Sequence, residues 1–108
     1  MVREITVQEL AKKLAAGEPL LLLDVRQPFE HEIASLPNSQ LIPMGELPAR
    51  IREIRPPSDA ELVVYCHHGV RSLIASNFLV GNGFGKVVSL VGGIDAWSRE
   101  IDPTVPRY

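Results

Sequence analysis

Leu62-Val63-Val64-Tyr65-Cys66-His67-His68-Gly69-Val70-Arg71-Ser72, running on into Leu73-Ile74-Ala75-Ser76-Asn77-Phe78-Leu79-Val80-Gly81, decides how this chain folds. The apolar and aromatic run Leu62 to Tyr65 reads as a buried strand, and Ile74, Ala75, Phe78 and Leu79 recur at helical spacing. The polar residues between them therefore join a strand to a helix. A helix starting near Ser72 aims its unpaired N–H groups and positive dipole end back at Cys66, the chain's one cysteine, and favours an anion there. Arg71 adds a fixed positive charge, and both features favour the thiolate, the form of cysteine that reacts.

Two accounts of Cys66 are open. Free cysteine is among the most buried residue types, so an inert core thiol is the plain one. Against it stand Gly69, which lets the backbone turn tightly, and Arg71, a charge beside an apolar strand that needs an anionic partner. The reactive account requires the thiol to lie exposed at the bottom of a shallow cup of amides.

The rest of the composition narrows the function. A chain of 108 residues fits one domain, residues 1–108, and 45% hydrophobic with 22% charged residues is ordinary for a folded soluble protein. The net charge of −2 offers no broad basic face, which argues against nucleic-acid binding. One cysteine cannot make an internal disulfide, a Cys-rich metal site or a dithiol redox couple. No apolar run approaches the roughly 18 residues that span a bilayer, and the N-terminus lacks the pattern of a signal peptide, so no membrane partner and a cytoplasmic location are expected.

Thr6-Val7-Gln8-Glu9 has the form of a capping box, and Val7, Leu10, Ala11 and Leu14 continue a helix that Gly17 closes. Leu20 to Leu23 is a strand of the kind buried on both faces in a parallel sheet, ending at Asp24. Ligands bind at such strand ends, which makes Asp24 and Arg26 candidates, although Asp24 also suits simple turn chemistry. Pro28 to Ala34 reads as a short helix carrying a solvated His31, and Gln40-Leu41-Ile42 as a brief strand. Leu47, Ile51 and Ile54 mark an amphipathic helix, stopped by Pro56-Pro57. Lys86 to Leu90 is the last strand, Gly92-Gly93 a tight turn, Trp97 a core or lid aromatic, and residues 102–108 an extended tail.

Cys66, Gly69, Arg71 and Ser72 in this spacing resemble the active-site loop of the rhodanese family of sulfurtransferases. Leu22-Leu23-Asp24-Val25-Arg26 with Pro28-Phe29-Glu30 resembles that family's early motif, and Leu90-Val91-Gly92-Gly93-Ile94-Asp95-Ala96-Trp97 its late one. The segment Ala34 to Ser39 departs from the family pattern, keeping a proline and the apolar residue before it. The resemblance implies an α/β fold: a rhodanese-like three-layer domain with a central, mostly parallel, about five-stranded sheet flanked by helices. It implies Asp24 as a residue steadying the loop, here also expected to balance Arg71, and Arg26 near the pocket mouth. Ile101-Asp102-Pro103 and Val105-Pro106-Arg107-Tyr108 resemble the rhodanese domains joined to adenylyltransferases of sulfur-carrier activation.

Phosphatases of the cell-cycle type and arsenate reductases on related folds carry one more residue between cysteine and arginine, room for a tetrahedral oxyanion. The shorter Cys-x-x-x-x-Arg spacing here fits a single sulfur atom. The expected activity is that of a thiosulfate sulfurtransferase: Cys66 takes sulfur from a small-molecule donor, holds it as a persulfide within the loop of His67, His68, Gly69, Val70, Arg71 and Ser72, and passes it on. His67 and His68 either steer an anionic donor or are exposed loop imidazoles. The alternatives are a phosphatase or arsenate reductase on the same fold and a non-catalytic rhodanese-like module. No cofactor and no metal is expected. A sulfur-carrier protein or an adenylyltransferase acting in trans is the implied partner.

Overall fold

The computed structural model describes residues 2–108. Arg3–Ile5 (β1), Leu20–Asp24 (β2), Gln40–Leu41 (β3), Glu61–Tyr65 (β4) and Val87–Leu90 (β5) form one sheet in the order β1-β5-β4-β2-β3, with every neighbouring pair parallel. The connections carry Val7–Ala15 (α1), Pro28–Ile33 (α2), Leu47–Arg50 (α3) and Val70–Gly81 (α4), and Gly93–Glu100 (α5) follows the last strand. The α/β class and the five-stranded sheet expected from the sequence are found, and the sheet is parallel throughout.

Side-chain alternation along β4 divides the core into two layers. Val63 and Tyr65 point into a cluster with Leu10 of α1 and Ile94 and Trp97 of α5. Leu62, Val64 and Cys66 point the other way, against Leu47 of α3 and Ala75 and Leu79 of α4. The sheet is thus covered on both faces, as an all-parallel sheet requires. Trp97, at 7% exposure, is a core residue and not a lid.

Local signals explain most element ends. The Thr6 hydroxyl accepts from the Glu9 amide at 3.1 Å while the Glu9 carboxylate accepts from the Thr6 amide at 2.9 Å, so the capping box at the start of α1 is complete. Two elements differ from expectation. β1 carries no strand pattern of its own, since only Ile5 of its three residues is buried; its pairing with β5 supplies what local sequence does not. The helix expected over Leu47 to Ile54 is one α-turn between two 3-10 turns, Met44–Glu46 and Ile51–Glu53, with Pro48 in its first turn and Ile54 already extended. Leu47 and Ile54 are nonetheless buried, so the apolar pattern reports burial and not helix type.

β2, β4 and β5 all end at the same edge of the sheet. Asp24, Tyr65 and the turn after Leu90 therefore converge, and the loop after β4 lies among them. No helix among the described residues is long and apolar enough to cross a membrane.

Candidate active site

The loop after β4 turns at Gly69, whose φ of +107° is open to glycine and strained for other residues. α4 begins at Val70, two residues earlier than the sequence pattern indicates. The Gly69 amide donates to Cys66 Sγ at 3.1 Å and the Ser72 amide at 3.3 Å. The Ser72 hydroxyl, 3.6 Å from the same sulfur, donates to the Gly69 carbonyl at 3.2 Å and lies 2.9 Å from the Ser89 hydroxyl on β5. Of the loop amides expected around the thiol, those of Gly69 and Ser72 reach it. The expected exposure is not found: Cys66 is 1% exposed, because the alternation of β4 turns it inward with Val64 against Ala75 and Leu79.

α5 holds the loop from its other side. The amide of Ile94 donates to the Cys66 carbonyl at 2.9 Å and that of Asp95 to the His67 carbonyl at 3.0 Å. Occupying these carbonyls fixes the peptide planes that send the later amides toward sulfur. Gly93, at φ +60°, makes the approach feasible, since a Cβ there would strike the carbonyls of Cys66 and His67. The Gly92-Gly93 pair is therefore more than a tight turn: it seats one helix terminus against the loop.

The charged groups assort differently from expectation. Arg71 pairs with Glu30, not with Asp24: Nη1 donates to Oε1 at 2.6 Å and Nη2 to Oε2 at 3.0 Å. The Arg71 guanidinium, helped by the Gln27 amide and the Tyr108 hydroxyl and opposed by burial, holds the Glu30 carboxyl down at about 2. Asp24 is fully buried and accepts from Arg26 Nε at 2.8 Å, Arg26 Nη2 at 2.7 Å and the Arg26 amide at 3.0 Å. Arg26 is not at a pocket mouth but 0% exposed, bonded also to the Ala34 carbonyl at 2.6 Å and the Tyr108 hydroxyl at 2.6 Å. Asp24 and Arg26 thus brace the ends of β2 and α2.

His31, expected in solvent, has Nδ1 2.8 Å from Asp24 Oδ2 and a side chain 27% exposed. The tail folds back over this end of the sheet. Tyr108 donates its hydroxyl proton to Glu30 Oε2 at 2.7 Å and stacks on His67, ring centroids 3.9 Å apart and ring planes nearly parallel. Arg107 reaches Asp95 at 3.1 Å. His67 also stacks on His68 at 3.9 Å, and burial followed by the neighbouring His68 pulls its proton affinity below the ordinary imidazole value. Glu30 and Tyr108 are the site-forming residues that sequence reading missed. The signal for Glu30 was the unmet demand of Arg71 for a carboxylate.

His67, His68 and Asp95 bring ligand atoms within 4.8 Å of one another. Arg99 at 2.9 Å and Arg107 at 3.1 Å already claim the Asp95 carboxylate, poor company for a further cation.

The site is a strand-to-helix loop with two amides directed at one buried sulfur, at the edge of an all-parallel sheet in an α/β domain. Residues 6–100 match the rhodanese-like domain model, and the chain belongs to that family. A sulfurtransferase of Allochromatium vinosum is 41% identical over 105 residues, 97% of this chain and 96% of that one. Adenylyltransferase and sulfurtransferase MOCS3-1 of Zea mays is 38% identical across 96% of this chain, which spans 23% of that protein. The crystal structure of a rhodanese-related protein from Thermoplasma volcanium is similar with a TM-score of 0.82 at 35% identity, covering 98% of this chain and 99% of that one. Its homologues make this a sulfurtransferase-type family member.

Proposed function

We propose that the protein moves sulfane sulfur from a donor, thiosulfate or a persulfide, to a thiophilic acceptor through a persulfide on Cys66. The thiolate attacks the donor's outer sulfur, the donor's S–S bond breaks with its electron pair leaving on the donor remnant, and Cys66–S–S⁻ remains. An acceptor nucleophile then attacks the outer sulfur and restores the thiolate. The carrying observation is the pair of amides from Gly69 and Ser72 on Sγ, at 3.1 and 3.3 Å. Donors fixed before the reaction stabilise a charged sulfur without reorganising.

The burial of Cys66 departs from the exposure expected of a reactive thiol; once a persulfide has formed, that burial shields it from stray nucleophiles. The guanidinium that a phosphatase would turn on a phosphoryl group is held by Glu30, which weighs against that alternative. The likeness to an adenylyltransferase fusion supports a sulfur-carrier protein, activated in trans, as acceptor. Incubation with thiosulfate should add one sulfur atom to Cys66 by intact mass, and cyanide should remove it as thiocyanate. No mass gain with any sulfane-sulfur donor would reject the proposal.

A further inference from the structure

We propose that Glu30 sets donor selectivity: by holding the Arg71 guanidinium it makes Cys66 take sulfur from singly charged organic donors in preference to the dianion thiosulfate. This rests on the sulfur-transfer function proposed above.

A site that admits anions gains from an unopposed cation, and here Arg71 is the nearest candidate in the loop. Its fork is already spent. Glu30, 5% exposed, takes both Nη groups, and the Gln27 amide at 3.1 Å and Tyr108 hydroxyl at 2.7 Å anchor the same carboxylate. Two parallel N–H···O⁻ bonds occupy the edge that an oxyanion would need. The other guanidiniums at this end of the sheet are matched as well. Arg26 is closed on Asp24, and Arg99 and Arg107 on Asp95. His67 has its proton affinity lowered, and His68 faces Asp95 at 3.9 Å. The attraction left at Sγ comes from amides, which converge on one atom and suit one charge on the transferred sulfur.

Beside the exposed His68 imidazole, the loop and its chain neighbours expose apolar side chains. Val70, within the loop, is 70% exposed; Ile74, one turn along α4, is 56% exposed; and Phe29, adjacent to Glu30, is 61% exposed. They fit the organic group of R–SO₂–S⁻ or R–S–S⁻ better than a sulfonate. With an organic thiosulfonate, the Cys66 thiolate bonds to the outer sulfur, the bond to the sulfonyl sulfur breaks, and its electron pair departs on the sulfinate. One negative charge enters with the donor and one leaves with the sulfinate, with no proton or outside oxidant.

The test compares kcat/KM for benzenethiosulfonate and thiosulfate, with cyanide as acceptor, in the wild type and Glu30→Gln. The wild type should prefer benzenethiosulfonate. In the variant, kcat/KM for thiosulfate should rise by roughly tenfold relative to that for benzenethiosulfonate, the scale of one hydrogen-bonded charge contact. The thiosulfate rate should also become steeply salt-dependent, a sign of an opened cation that a purely structural role would not produce. Tyr108→Phe, which removes one anchor of Glu30, should shift the donor ratio the same way by a smaller factor, and it serves if Glu30→Gln does not fold. An unchanged ratio, or equal losses on both donors, overturns the role of Glu30. A wild type that gains no sulfur from either donor overturns sulfur transfer itself.

Discussion

Glu30 and Arg71, 41 residues apart in the chain, close on each other through two hydrogen bonds of 2.6 and 3.0 Å. The pair crosses from α2 to α4 and ties the loop after β4 to the element that follows β2. Arg71 is the main cause of the low Glu30 value, about 2 against 4.5. Because the folded chain binds this proton more weakly than the unfolded one, the contribution is complete above about pH 4.5 and lost as pH falls toward 2. Urea unfolding across that window should show a loss of up to about 3 kcal/mol attributable to this group. Glu30→Gln should flatten the slope; an equal slope in the variant would assign the acid sensitivity elsewhere.

Cys66→Ser keeps a small side chain against Ala75 and Leu79 but removes the nucleophilic sulfur. The variant should retain a cooperative melt while thiocyanate formation falls to the uncatalysed rate. Residual turnover above that rate would place the chemistry on another group.

Gly93→Ala tests whether α5 must dock on the loop. The new Cβ meets the carbonyls of Cys66 and His67 at a backbone φ of +60°. A loss of about 1 to 3 kcal/mol is expected from strain, together with loss of sulfur loading. Gly17→Ala is the control, with φ of +69° but nothing within 4 Å. It should cost about 1 kcal/mol by urea unfolding and leave loading intact.

Asp24→Asn removes the counter-charge of a fully buried arginine. Arg26 keeps its bonds to the Ala34 carbonyl and Tyr108, yet its charge loses the carboxylate that offsets burial. Unfolding free energy should drop by about 3 to 5 kcal/mol, the usual cost of breaking such a buried pair. A drop under about 1 kcal/mol would mean that water reaches the site.

How much of this was legible in the sequence depended on how local each cause was. Leu20 to Leu23 and Leu62 to Tyr65 announced buried strands because an unbroken apolar run has one economical place in a parallel sheet. Thr6 and Glu9 announced the start of α1 because both halves of the capping box lie within one turn. The loop amides followed from a strand, a glycine and a helix in succession. Partner choice among charges was not legible. Asp24, Glu30, Arg26 and Arg71 allow several pairings on paper, and only the proximity of α2 to α4 and the rotamer reach of Arg26 select among them. Tyr108 was hidden for the same reason, since it meets Arg26 from 82 positions away in the chain.

Four backbone groups of the loop are committed to the site: carbonyls 66 and 67 to α5, amides 69 and 72 to sulfur. His68 and Val70, with side chains largely in solvent, supply none of these four groups, although the His68 ring rests on that of His67. Mutation at these two positions can therefore retune what docks over the sulfur while leaving the cradle untouched, which makes them the points from which new specificities evolve cheaply.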